Sequence, residues 1–147
     1  MEIVLILDNI RSLYNVGSIF RSADAFGVSE IICSGYTPTP DHPETKKTAL
    51  GAELTIKWRK EEANEAITRL TKEGFAIAAL ETGGTPLATH KPSKKIAVIL
   101  GNETEGVSPE LLNKVSATLS IDMRGKKESL NVSVATGILL YALTNRV

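Results

Sequence analysis

The chain is predicted to form an α/β layer fold, a mostly parallel sheet flanked by helices, in one domain spanning residues 1–147. Three observations carry this. Short apolar runs recur without polar alternation, as in strands buried on both faces. Helical patterns stand between them and close on glycines, where a helix stop belongs. The C-terminal helix is apolar on nearly every side, so it cannot be an ordinary surface helix with one wet face. A composition of 42% hydrophobic and 23% charged residues is that of a globular domain and excludes disorder and fibres.

The elements follow in order. Ile3 to Leu7 is a first strand; no charged n-region and apolar core precede it, so no leader and a cytoplasmic protein are expected. Val16, Ile19, Phe20, Ala23 and Phe26 fall at helical spacing before Gly27, with Asn15 as the candidate N-cap. Arg21 lies off that apolar stripe and points to solvent. Glu30 to Cys33 is the second strand, and its lone cysteine is expected to be buried and inert. Gly35 to Lys47, with prolines at 38, 40 and 43, is expected to be a loop of a length that usually binds something. Thr55 to Trp58 is a third strand, followed by a helix from Glu61 to Glu73 that ends at Gly74 and carries Glu61, Glu62 and Glu65 on a wet face. Strands Phe75 to Leu80, Ile96 to Leu100 and Thr118 to Ile121 complete the sheet, with a short helix capped by Ser108 and opened by Pro109. The last helix, Val132 to Leu143, needs cover on two sides. In a chain this small these are its own sheet and a second copy of the protein.

Seventeen basic and seventeen acidic side chains cancel, so global charge does not draw the chain to nucleic acid. The basic residues nevertheless gather in expected loops: Lys46-Lys47, Arg59-Lys60, Lys91 with Lys94-Lys95, and Arg124 with Lys126-Lys127. Two histidines and one cysteine far apart assemble no soft-ligand metal site, and no apolar run reaches the roughly 18 residues of a membrane span.

Ligands of open α/β sheets sit outside the carboxyl ends of the strands, and three polar clusters follow strand ends here. They are Asp8 to Arg21, Gly101 to Gly106, and the segment Ile121 to Asn131 with its basic loop. The second has phosphate-loop spacing, but Val107-Ser108 stands where that motif needs lysine and a hydroxyl. No G-x-G-x-x-G follows the first strand and no G-x-S-x-G is present, so dinucleotide and hydrolase readings lack support. Singly, the glycines suit tight turns and Ser129 and Asn131 suit helix caps.

Together the three segments resemble the SpoU (TrmH) branch of the SPOUT RNA methyltransferases. Asn15, Gly17 and Arg21 match N-x-G-x-x-x-R; Gly101, Asn102, Glu103 and Gly106 match G-N-E-x-x-G; Met123, Gly125, Ser129, Leu130, Asn131, Val132 and Ser133 match M-x-G-x-x-x-S-L-N-V-S. One departure is Asp122, where that family commonly has proline and hence a fixed φ. The resemblance implies a trefoil-knotted domain, a homodimer through the C-terminal helix, and S-adenosylmethionine as methyl donor to a ribose 2'-hydroxyl of RNA. Transfer RNA is expected before ribosomal RNA. The resemblance assigns Arg21, Asn15, Glu103, Ser129 and Asn131 to catalysis, with Arg21 near the ribose and sometimes its base; because a guanidinium is a poor proton acceptor, Arg21 is expected instead to hold phosphate and ribose in line, with phosphate or water taking the proton. Gly101, Asn102, Gly106, Ile121, Met123 and Leu130 match the methyl-donor contacts, with Leu80, Glu81 and Thr82 as a further wall. With no separate RNA-binding domain ahead of the first strand, recognition is expected from the dimer surface or a helper protein. The alternative is a catalytically inactive subunit of the same fold that binds the methyl donor or RNA.

Overall fold

The computed structural model describes residues 1–145. Its strands are β1 (Glu2–Asp8), β2 (Glu30–Ser34), β3 (Trp58–Lys60), β4 (Ala76–Pro86), β5 (Lys95–Leu100) and β6 (Ala117–Ser120). They form one six-stranded sheet in the order β3-β2-β1-β5-β4-β6, with every pairing parallel. The helices are α1 (Leu13–Ala25), α2 (Pro43–Ala49), α3 (Ala63–Lys72), α4 (Pro109–Leu112) and α5 (Val132–Thr144).

Because strand side chains alternate between faces, β1 feeds two cores. Ile3, Leu5 and Leu7 join Val16, Ile19 and Phe20 of α1 and Leu139, Leu140 and Leu143 of α5. Val4 and Ile6 join Ala66, Ile67 and Leu70 of α3 and Leu111 of α4. The result is helix, sheet and helix in three layers. This is why the strands read as continuous apolar runs: both faces are covered.

Four expectations need correction. The segment Gly35 to Lys47 is not all loop, since α2 begins at Pro43. A proline in the first turn loses no hydrogen bond that the helix would have made, and His42 Nδ1 caps it by accepting from Glu44 N–H at 3.1 Å. The third strand lies later than Thr55 to Trp58. A 3₁₀ turn at Ala52–Leu54 takes up Thr55 and Ile56, and Arg59 is drawn along β2 by the buried Glu30 carboxylate at 2.5 Å. Asn15 is not the N-cap of α1: Ser12 is, its hydroxyl accepting from Asn15 N–H at 3.2 Å. Finally, β4 runs six residues past Leu80, its register on β6 slipping between Leu80 and Thr85.

The switch in strand order falls at β1, which has β2 on one side and β5 on the other. The loops leaving β1 and β5 therefore meet at the carboxyl edge.

Candidate active site

Glu103 is the hub of that edge. Its carboxylate accepts from the main-chain N–H groups of Arg11 and Ser12, each at 3.1 Å, and so binds the loop after β5 to the start of α1. Negative charge is favourable there because a helix start presents unpaired N–H groups. Desolvation alone would push the Glu103 carboxyl up, but the donated bonds from Arg11, Ser12 and Asn15 outweigh it and hold it below the ordinary carboxylate range.

From Glu103 a directed chain of amides runs across the edge. Asn15 Nδ2 donates to Glu103 Oε1 at 3.4 Å, and Asn131 Nδ2 donates to Asn15 Oδ1 at 3.2 Å. Asn131 Oδ1 in turn caps α5, accepting from Ser133 N–H at 2.9 Å and Ser133 Oγ at 2.6 Å. An ionised carboxylate can only accept, so it sets the sense of every amide beyond it. Residues from three distant segments thereby share one polar line.

Asn102 organises the neighbouring loops. Its Oδ1 accepts from Thr104 and Glu105 N–H at 2.9 Å, closing the turn, while Nδ2 donates to Asn9 O at 2.9 Å and to Tyr36 Oη at 2.8 Å. Gly106 needs its glycine: φ is +72°, and a Cβ there would lie 2.3 Å from Glu81 Oε2. Glu81 also accepts from Val107 N–H at 2.8 Å, so it braces this loop.

The expected donor wall is half-buried and apolar at Leu80, Ile121 and Met123, with Leu130 more open and Thr82 exposed. Main-chain groups from 122 to 130 make no hydrogen bond to the described residues. Apolar walls beside free main-chain donors and acceptors fit an adenosine recognised without side-chain charge. Asp122, the departure from the resembled motif, is exposed.

Two expected catalytic residues stand apart. Ser129 is exposed and makes no hydrogen bond to the described residues. Arg21 points outward, as expected, into an open groove with Ser18, Ser22, Phe26, Lys47 and Leu50, and makes no ion pair with the described residues. That groove borders α5, since Phe26 packs edge-on against Tyr141 at 6.4 Å between ring centroids. The sequence reading missed Tyr36 and, within the Asp8 to Arg21 cluster, did not single out Asn9 and Arg11. The Asn9 φ of +53° and the left-handed Gly35 at +61° set the two loops that carry them, and only the glycine was a visible signal.

Among the described residues no group of three or more His, Cys, Asp or Glu could hold a metal ion, and no helix is long and apolar enough to cross a membrane. Cys33 is buried and its thiol is pushed up to about 12 by desolvation, which makes it inert.

Known proteins are similar to this chain over most of its length. The family model for the SpoU rRNA Methylase family matches residues 2–141. The 23S rRNA (guanosine(2553)-2'-O)-methyltransferase RlmP of Bacillus subtilis is 32% identical over 142 residues, 95% of this chain and 57% of that protein. The tRNA (guanosine(18)-2'-O)-methyltransferase of Aquifex aeolicus is 30% identical, over 95% of this chain and 67% of its own length. The chain thus spans about three fifths to two thirds of these relatives. An AdoMet-bound rRNA methyltransferase from Sinorhizobium meliloti superposes with a TM-score of 0.91 at 32% identity, covering 97% of this chain and 55% of that one. With its motifs gathered at one sheet edge and a family match over nearly its whole length, the chain belongs to the SpoU rRNA methylase family.

Proposed function

We propose that this chain transfers a methyl group from S-adenosylmethionine to a ribose 2'-hydroxyl of RNA, with transfer RNA the first substrate to test and ribosomal RNA the second. The carrying observation is the Glu103, Asn15 and Asn131 hydrogen-bond line, which ties the three family motifs together at the carboxyl edge of the sheet. The methyl donor, when bound, supplies an electrophilic methyl on a sulfonium. Leu80, Ile121, Met123 and Leu130 would wall it, and main-chain groups of Gly101 and of residues 122–130 would bond its polar edges.

An attacking hydroxyl gains positive character and must shed its proton. Nothing in the amide line is a strong base, and a guanidinium is a poor acceptor. Arg21 instead supplies a charged fork that grips a phosphate and aligns the ribose, leaving phosphate or water to take the proton.

We further propose a homodimer through α5. Val134, Ile138 and Tyr141 are 52%, 40% and 62% exposed on one face of a helix whose opposite face is core. A second copy would cover that face, and the Phe26 and Tyr141 contact supports a seam whose rim lies by the Arg21 groove.

The test has two parts. S-adenosylmethionine or its demethylated product should raise the melting temperature and nucleoside triphosphates should not. Labelled methyl should enter bulk transfer RNA or ribosomal RNA in alkali-resistant dinucleotides. Donor binding with no incorporation into either RNA would leave a binding subunit and defeat the catalytic reading.

A further inference from the structure

Tyr36 is anchored through its hydroxyl although more than half of its surface is exposed. Surface tyrosines ordinarily bury the ring and wet the hydroxyl. Here the hydroxyl accepts from Asn102 Nδ2 at 2.8 Å while the residue is 53% exposed. Its main chain is pinned as well, Tyr36 N–H donating to Asn9 Oδ1 at 3.1 Å. The next residue, Thr37, is buried and clamps the same two loops, accepting from Ile10 N–H at 3.0 Å and donating to Leu7 O at 2.8 Å. The ring is therefore held still at the mouth of the site.

Arg11 lies over one face of that ring in a cation–π contact, its guanidinium carbon 5.9 Å from the ring centroid. That side chain has no ion pair among the described residues, while its main-chain N–H is fixed by Glu103. A half-exposed, anchored aromatic ring with a guanidinium stacked over one face and unpaired with any acid among the described residues is a recurring recognition device for unpaired nucleobases. A phosphate site would want the guanidinium and have no use for the ring. Asn102, which anchors the hydroxyl, is adjacent in sequence to Glu103, so the ring and the amide line are parts of one assembly.

We propose that Tyr36 and Arg11 form a stacking platform for an unpaired base at or beside the methylated nucleotide, so that the enzyme selects single-stranded over paired RNA. This rests on the RNA methyltransferase reading. The platform has low ordering cost because ring and loop are already fixed.

The test uses the full chain and a single-stranded oligoadenylate carrying one 2-aminopurine, with the same strand in a duplex as the control. Wild type should bind the single strand with quenching of the 2-aminopurine. Tyr36→Leu should weaken that binding about five- to hundredfold and abolish the quenching, leaving duplex affinity unchanged. Tyr36→Trp and Tyr36→Phe should both keep it, since both keep the face. Retained quenching in Tyr36→Leu overturns the platform, as does an equal loss in Tyr36→Phe and Tyr36→Leu, which would make the residue a brace through its hydroxyl. Stabilisation by S-adenosylhomocysteine in each variant confirms that the fold and donor site persist. Failure of wild type to methylate any bulk RNA counts against the activity reading, and the quenching result decides the platform separately.

Discussion

At the scale of single residues the acid–base behaviour of Glu103 is the sharpest handle. Its folded carboxyl lies below the ordinary range, so its contribution is complete above the unfolded value of about 4.3 and is lost as pH falls through the lower folded value. Glu103→Gln should cost roughly 1 kcal/mol at neutral pH and flatten the acid limb of stability, read as melting temperature against pH. Asp8 works in the opposite sense. Burial, with Glu62 and Glu110, pushes its carboxyl up against the lowering bond from Ser34, so its ionisation disfavours the fold as pH rises through that raised value. Asn15 shows where residue-level reading fell short. Its type suggested a cap, and nothing local revealed that Ser12 would cap while Asn15 reached across to Asn131.

Between elements, the α1 and α2 contact is set by one missing side chain. A Cβ on Gly17 would lie 2.0 Å from Thr48 Oγ1 and 2.2 Å from Thr45 O, the second a main-chain atom that cannot swing away. Gly17→Ala should therefore destabilise by about 1–3 kcal/mol, seen as a lowered melting temperature. For α5, Ile138→Glu should yield a folded monomer in sedimentation, because a charge placed on the exposed face opposes pairing without entering the core. A persistent dimer would remove α5 from the interface. The all-round apolar character of α5 was legible in its residues. The start of α2 was not, because Pro38, Pro40 and Pro43 read alike and only the third occupies a first turn.

For the molecule as a whole, charge placement matters more than its zero sum. Lys47, Arg59 and Lys95 are tied to Glu44, Glu30 and Glu2, whereas Arg124, Lys126 and Lys127 are exposed and make no ion pair with the described residues. RNA affinity should fall steeply with salt, and Lys126→Ala with Lys127→Ala should reduce the slope of log affinity against log salt by about 1 to 2. An unchanged slope would exclude that loop from phosphate contact. The layer fold and the clustering at strand ends were readable because burial on both faces and polar strand exits leave patterns within a few residues. The partners of Tyr36 and Glu103 were not, since they are set by backbone turns and by contacts made across the sheet edge.

The place of β1 in the sheet also bears on how the chain is made. Of the six strands β1 is synthesised before the others, and its side facing β5 stays bare until β5 is made, while the bond from Arg11 to Glu103 spans 92 positions. A nascent chain that stops short of β5 presents an unpaired apolar strand edge, the feature that invites pairing with other chains. The interval in which this sheet is most open to such pairing is therefore the translation of residues 35–94, between β2 and β5.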